Sequence, residues 1–294
     1  MAVSEELAQL ISSEHYRERR FIVLEVVRAV AAWWTYLSRS DINGSWETTV
    51  GPGLVSVLHE AQRQAAEPAN TYVERMAGED SAPLARVNTD AFTGQTYDGR
   101  TANGLLDLSR QHTLRLIGEG SPREEALASG LVVAQRAAVN ETQDAGRGAD
   151  HVAMVTQPAL LGYVRYLELP SCSRCVVLAG RRYRWSAGFE RHPRCDCLHI
   201  PYTVASPWAG RAIEDPEAAV ETGQVTGLSA ADRRALEDGA DLGRLVNAKK
   251  TGLSIAGDGT RKRGRRLTPE AIYKRAGNDR ELALKLLRQN RYVL

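Results

Sequence analysis

All four cysteines of this 294-residue chain lie within a segment of 26 residues, and this clustering constrains the fold more than any other feature. Cys172 and Cys175 form a C-x2-C pair, and Cys195 and Cys197 form a C-x-C pair. A C-x2-C turn directs two thiolates at one point, and tetrahedral zinc needs a second pair of ligands a short distance along the chain. Because side chains alternate along extended backbone, Cys195 and Cys197 share one face and can reach the same ion. The spacing predicts a structural zinc site in a small strand-rich module.

Two histidines near the second pair leave the ligand set open. His192 precedes Cys195 by three residues, and His199 follows Cys197 by two. We favour four thiolates, with His192 as the alternative ligand, and four thiolates would leave no open coordination position for catalysis. There are three competing interpretations: buried cysteines without metal, disulfide bonds, and a thioredoxin-like redox pair. Disulfide bonds would need an oxidising compartment. Iron is also compatible with the spacing.

The chain before residue 157 has the pattern of a helical domain. Gly146 and Gly148 are expected to end its last long helix before a shorter one at 149–156. Pro68 is expected to break an earlier helix, and Ser121 is expected to open a capping box. The predicted long helices cover 5–37, 54–76, 101–117 and 121–143.

After residue 157 the pattern changes to short strands and then to short helices. Strands are predicted over 161–167, 176–178, 183–185 and 198–204, and short helices over 230–237, 268–276 and 279–289. The predicted fold class is α+β with three parts. These parts are a helical domain (1–156), a Cys/His β module (157–210) and a basic C-terminal extension that ends in two short helices (211–294).

The net charge of +2 conceals a strong asymmetry. Residues 245–294 contain 13 Lys and Arg against 4 Asp and Glu, so the rest of the chain is acidic. A segment with this excess of basic residues can bind the phosphate backbone of a nucleic acid through counterion release, without recognition of the base sequence. A solvated loop and a docking site for an acidic protein surface are the alternatives. The predicted DNA contacts are five cations in a row of six residues: Arg261, Lys262, Arg263, Arg265 and Arg266.

Two further classes of function lack support in the sequence. The most apolar stretch, 21–37, contains Glu25 and Arg28, so we predict a buried helix rather than a membrane span. The N-terminus lacks the basic start of a secretory signal, so we expect the chain in a reducing cytoplasm. No H-E-x-x-H, G-x-S-x-G, P-loop or G-x-G-x-x-G motif is present, and we predict no catalytic residue.

The cysteine segment resembles a known family. Ser-Cys-Ser-Arg-Cys (171–175), Val-Leu-Ala-Gly-Arg (177–181) and His-Pro-Arg-Cys-Asp-Cys (192–197) are similar to head-morphogenesis proteins of the phage Mu protein F-like type. Segments 238–241, 246–250 and 267–273 resemble the versions found in phages and prophages of actinobacteria. With these segments, the resemblance covers about 161–294.

This resemblance implies a structural minor capsid protein of a tailed phage. Proteins of the family are expected in a few copies inside the head near the portal, where they act in head assembly and in DNA packaging or ejection. The implied partners are the portal protein, other head proteins and packaged double-stranded DNA, and assembly takes place in the host cytoplasm. No catalytic residue follows from the resemblance. The alternatives are a head-maturation protease or other hydrolase, and a zinc-dependent nucleic-acid-binding regulator.

Overall fold

The computed structural model describes residues 3–78, 81–94, 96, 99–185, 197–204, 216–248, 254–255, 264–265, 269–277 and 279–289. This part of the chain is mostly helical with a few strands, which confirms the α+β prediction. The chain folds into two compact units. The first unit is Met1–Tyr166 with Arg181–Gly210, and the second unit is Leu167–Gly180 with Arg211–Leu294. The predicted module at 157–210 therefore contributes residues to both units.

The helices of the first unit follow the sequence pattern closely. Ser4 and Thr101 each cap a helix with the side-chain oxygen, as small polar residues at this position do. Pro68 separates two helices as predicted. The predicted capping box at Ser121 is wrong, because the last helix begins after Pro122 without a side-chain cap. The helices are α1 (Glu5–Trp34), α2 (Ile42–Ser45), α3 (Gly51–Ala66), α4 (Ala69–Ala77), α5 (Ala102–Gly118) and α6 (Arg123–Val155).

The predicted break in α6 at its two late glycines is also wrong. The helix continues through Gly146 and Gly148. A Cβ at position 146 would lie 2.5 Å from the guanidinium carbon of Arg19, and a Cβ at position 148 would lie 2.9 Å from the ring of Phe92. At both positions a neighbouring side chain occupies the space that a Cβ would fill. Close packing against the helix backbone therefore accounts for these glycines, and the helix does not end at them.

The core of the first unit lies among α1, α3, α5 and α6. Val30, Leu54, Leu58 and Leu106 are completely buried there. Trp34 packs in the same cluster, and its indole N–H donates to the carbonyl oxygen of residue 127 at 3.2 Å. Because each helix presents one apolar stripe to this cluster, the four helices bury their hydrophobic faces together.

Seven short strands occur in the described part of the chain. They are β1 (Leu160–Tyr166), β2 (Ser171–Cys172), β3 (Arg182–Arg184), β4 (Leu198–Thr203), β5 (Val225–Thr226), β6 (Ser254–Ile255) and β7 (Gly264–Arg265). In the first unit β1 is the central strand of an antiparallel sheet of order β3-β1-β4. The predicted strands at 161–167, 183–185 and 198–204 are therefore confirmed. In the second unit β2 pairs with β5 in parallel, and β6 pairs with β7 in antiparallel orientation.

The second unit contains short helices around a small core. The predicted strand at 176–178 is wrong, because these residues belong to α7, which Cys172 caps. Ala235, Leu245, Ile272 and Leu287 form the centre of the core. Three of them lie on helices that the sequence pattern predicted near 230–237, 268–276 and 279–289, and Leu245 lies on a further helix that was not predicted. The helices are α7 (Ser173–Leu178), α8 (Pro216–Glu221), α9 (Ala230–Glu237), α10 (Leu242–Ala248), α11 (Pro269–Ala276) and α12 (Arg280–Gln289).

Candidate functional site

The cysteines of the predicted zinc site are divided between the two units. Cys172 and Cys175 lie in the second unit, and Cys197 lies in the first. Cys175 and Cys197 are completely buried. Cys195 and the alternative ligand His192 lie outside the described residues. Among the residues that the structure does describe, no group of three or more His, Cys, Asp or Glu side chains is placed to hold a metal ion.

The first cysteine pair has a local geometry that fits thiolate ligands. Cys172 ends β2, and its sulfur accepts the backbone N–H of Cys175 at 3.4 Å. Hydrogen bonds donated to sulfur favour the thiolate over the thiol, and the thiolate is the form that binds zinc. This contact therefore favours the thiolate form at Cys172, one of the four predicted ligands.

Most of the predicted DNA-binding cluster lies outside the described residues. This is the case for Arg261, Lys262, Arg263 and Arg266. Arg265 belongs to β7, where it pairs with residue 254 of β6. The helices α11 and α12 follow the cluster in the chain.

The first unit contains a buried group of ionisable side chains that the sequence did not predict. Asp150 of α6 is completely buried, and one of its oxygens accepts a hydrogen bond from Nη2 of Arg19 at 2.9 Å. Nε2 of His15 lies 3.1 Å from the other oxygen. His15 and Arg19 are four residues apart on α1, so both side chains lie on one face of that helix. Nη2 of Arg19 also donates to the carbonyl oxygen of Ala65 at 3.1 Å. This carboxylate therefore connects α1 to α6.

Aromatic and histidine side chains extend this group to α4 and β4. The ring of Tyr72 stacks on that of His15 with centroids 3.9 Å apart, and its hydroxyl donates to the carbonyl oxygen of His199 at 2.7 Å. The ring of His199 lies 4.3 Å from that of Tyr163, between centroids. We name the residues His15, Arg19, Tyr72, Asp150 and His199 the Asp150 cluster.

Burial and charge set the ionisation of the Asp150 cluster. Burial alone would raise the pKa of Asp150, but the positive charge of Arg19 and the contact with His15 hold this pKa below its usual value. Burial lowers the pKa of His15 below its usual value of 6.5, although Asp150 opposes the shift. Burial lowers the pKa of His199 well below the same value. At neutral pH the cluster therefore contains one carboxylate, one guanidinium and two uncharged imidazoles. Both oxygens of Asp150 accept hydrogen bonds from side chains of α1, and the hydroxyl of Tyr72 donates to β4, so the cluster links α1, α4, α6 and β4.

A groove of about 390 Å³ lies along α1 and α6 next to the Asp150 cluster. Among the described residues that line it there are four arginines and no carboxylate: Arg19, Arg20, Arg136 and Arg147. Nε of Arg147 donates to the carbonyl oxygen of Cys197 at 2.9 Å, and its Nη1 donates to Asp144 at 3.1 Å. The groove therefore combines positive charge with the apolar side chains of two helices.

Comparison of the chain with protein-family models, with curated proteins and with solved structures finds no match. No helix in the described part of the chain is both long enough and apolar enough to cross a membrane.

Proposed function

We propose that the protein is a structural minor capsid protein of a tailed phage, located inside the head near the portal. Its role would lie in head assembly and in DNA packaging or ejection. The observation that carries the proposal is the cysteine segment, in which Cys172-x2-Cys175 and Cys195-x-Cys197 stand within residues that resemble the Mu protein F-like minor capsid proteins.

In this proposal the helical first unit binds the portal protein or other head proteins. α1 exposes several large apolar side chains, and Phe21 and Leu24 are 63% and 51% exposed. Leu7 and Leu10, nearer the start of the helix, are 44% and 52% exposed. Clusters of exposed apolar side chains are typical of surfaces that a partner covers.

The basic extension contacts packaged DNA in the same proposal. Arg261, Lys262, Arg263, Arg265 and Arg266 form a continuous cationic segment. A segment of this kind binds phosphates without base selection, and the affinity falls steeply with salt. The contact would therefore be non-specific.

A structural zinc ion completes the proposal. Cys172, Cys175, Cys195 and Cys197 would bind it, with His192 as the alternative to one thiolate. The hydrogen bond from the Cys175 backbone to the sulfur of Cys172 supports thiolate ligation at the first pair. The ion would stabilise the fold around the cysteines, because four protein ligands close the coordination shell.

The test of the proposal is incorporation into heads. The chain would be expressed together with the portal, major capsid and other head proteins of a tailed phage, and particles would be purified on a density gradient. We expect a few copies per particle, resistant to added protease until the particles are opened. Absence of the chain from purified heads, or digestion from intact heads, would contradict the proposal. So would specific cleavage of capsid precursor by the purified chain, since that result would make the protein a head-maturation protease.

A further inference from the structure

Six residues on the outer side of α1 have the spacing of a helix that packs against another helix. Between positions 7 and 24 they are separated by alternating steps of three and four residues, which place them in one row along the helix. The residues on the opposite side of α1, at positions 12, 19 and 26, are buried in the first unit. The outer row is therefore separate from the side of α1 that faces its own core. We name it the α1 row, and its members are Leu7, Leu10, Glu14, Arg17, Phe21 and Leu24.

The α1 row is accessible to a partner along its whole length. Its four apolar residues are between 44% and 63% exposed. Helix α1 lies between two grooves: Leu24 lines the groove next to α6, and Phe21 lines a second groove, of about 570 Å³, next to α4. Because there is a groove on each side, the row forms a ridge on the first unit. A helix of a partner can pack along this ridge without displacing α4 or α6.

The order of side chains along the α1 row has twofold symmetry. From either end, it consists of two apolar residues, two residues of opposite charge and two apolar residues. A twofold axis that crosses α1 between residues 15 and 16 places Leu7 of one copy opposite Leu24 of a second copy, and Leu10 opposite Phe21. An interface between two identical chains requires this self-complementarity, because every contact occurs twice. A partner of a different sequence requires no such symmetry, so the pattern favours a second copy of this chain.

The charges at the centre of the α1 row determine the relative direction of the two helices. In the antiparallel arrangement, Glu14 of each copy lies opposite Arg17 of the other copy. A parallel arrangement would place each of these charges opposite its own kind, and contacts between like charges are unfavourable. In the described part of the chain, the guanidinium of Arg17 makes one long hydrogen bond, of 3.5 Å to Oγ of Ser13. Oε2 of Glu14 accepts from Arg75, and the carboxylate has a second oxygen that can accept from Arg17 of the other copy.

We propose that α1 is a dimerisation helix, and that its α1 row packs in antiparallel orientation against the α1 row of a second copy of the chain. Under the proposed function, on which the inference rests only here, the second copy is one of the head proteins that contact the first unit. The α1 row is about 26 Å long. A contact of this length between one pair of helices is a small interface, so the dimer is in reversible equilibrium with the monomer.

Sedimentation equilibrium of the purified full chain, over a range of concentrations, measures the association. We expect monomer and dimer without larger species, because a twofold contact closes on itself. Two aromatic residues provide a matched pair of variants: Phe21 and Tyr36 are 63% and 65% exposed, and only Phe21 belongs to the α1 row. Phe21→Lys should weaken the dimer at least tenfold, because the new charge lies opposite Leu10 at two places in the interface. Tyr36→Lys should leave the dissociation constant unchanged.

Charge reversal tests the antiparallel direction and remains available if Phe21→Lys does not fold. Glu14→Arg or Arg17→Glu alone should weaken the dimer several-fold, because each change places like charges opposite each other twice. The double variant, Glu14→Arg with Arg17→Glu, should restore the affinity of the original chain. A mixture of the two single variants should form mixed dimers in preference to dimers of either variant. In a parallel dimer the single reversals would have no such effect, since identical positions would still face each other.

Three results would overturn the proposal. The first is a chain that stays monomeric up to its limit of solubility, which would make a different head protein the partner of the α1 row. The second is an equal dissociation constant for Phe21→Lys and Tyr36→Lys when circular dichroism shows that both variants are folded. The third is single charge reversals that bind as tightly as the original chain. Association is measured on the chain alone, so its absence is distinguishable from a failure of the chain to enter heads.

Discussion

The residues of the cysteine segment are close together in the sequence, whereas the residues of the Asp150 cluster are far apart in the sequence and meet only in the fold. The four cysteines are close in sequence, and their spacing alone predicts a ligand set. The Asp150 cluster joins His15 to a carboxylate 135 residues away, and no local motif marks it. A regular spacing lets the sequence alone predict residues that would bind one metal ion together. A network between distant helices becomes visible only when the fold is known.

Substitution of a predicted zinc ligand should have the largest effect. We expect about one zinc per chain in protein purified without added metal, and loss of that zinc in Cys172→Ser. Because the binding free energy of a structural zinc ion is about 10 kcal/mol, the segment around the cysteines should unfold with the loss of the ion. Elemental analysis and circular dichroism measure the two effects.

Two control variants define this zinc prediction further. Ser173→Ala, next to the ligand but outside the predicted set, should retain the metal. His192→Ala should also retain it if the four thiolates are the ligands. Metal-free protein that stays fully folded would show that the cysteine spacing does not predict a metal site. The cysteine segment would then no longer be an example of a site that can be predicted from local spacing.

Removal of the central carboxylate should have the next largest effect. Asp150→Ala leaves the buried guanidinium of Arg19 without its counter-ion, and breaking a buried pair in this way costs about 3–5 kcal/mol. Urea unfolding measures the change. Glu60→Ala is the control, because Glu60 and Arg63 form an ion pair in which both side chains are about half exposed, and pairs of that kind contribute little. An equally small effect at Asp150 would show that the cluster is not a source of stability.

Two glycine substitutions should have opposite signs. In Gly146→Ala the new methyl group would meet the guanidinium of Arg19, and forcing a side chain into an occupied space costs about 1–3 kcal/mol. Gly118, in the last turn of α5, has no heavy atom within 4 Å of the position of a Cβ. Gly118→Ala should therefore stabilise the protein by about 0.4–1 kcal/mol by restricting the unfolded chain. Thermal unfolding of both variants measures the difference, and the same sign for both would contradict the packing argument.

The helices of the first unit were predictable because their start signals and apolar spacing are local. Thr101 and Pro68 illustrate this, since each acts on the backbone within a few residues. The continuation of α6 through Gly146 was not predictable, because the sequence does not show that Arg19 occupies the space beside this glycine. The helix at 173–178 was missed for a related reason. Three apolar residues resemble a short strand, but the sulfur of Cys172 caps a helical turn there.

One sequence pattern does indicate buried polar residues on α1, although we made no prediction from it. Ser12, His15 and Arg19 occur at spacings of three and four residues on α1, and all three are buried. Polar residues on the buried stripe of a helix need polar partners elsewhere in the fold. The pattern could have indicated a buried network, but the identity of the partner, Asp150, depends on how α1 and α6 pack and is not encoded locally.

The histidines of the Asp150 cluster should make stability depend on pH. The pKa values of His15 and His199 are lowered below 6.5 in the folded protein, so below pH 6.5 the unfolded chain binds more protons than the folded one. The free energy of unfolding should therefore be constant above about pH 7 and fall as the pH drops below 6.5, by at most about 1.4 kcal/mol per pH unit for each histidine. The lowered pKa of Asp150 acts in the same direction only at lower pH, because its contribution is complete above about pH 4.

Urea titrations between pH 5 and 8 measure the slope, and His199→Leu should reduce it. A slope that is unchanged in this variant would mean that the buried imidazole of His199 is not responsible for the pH dependence.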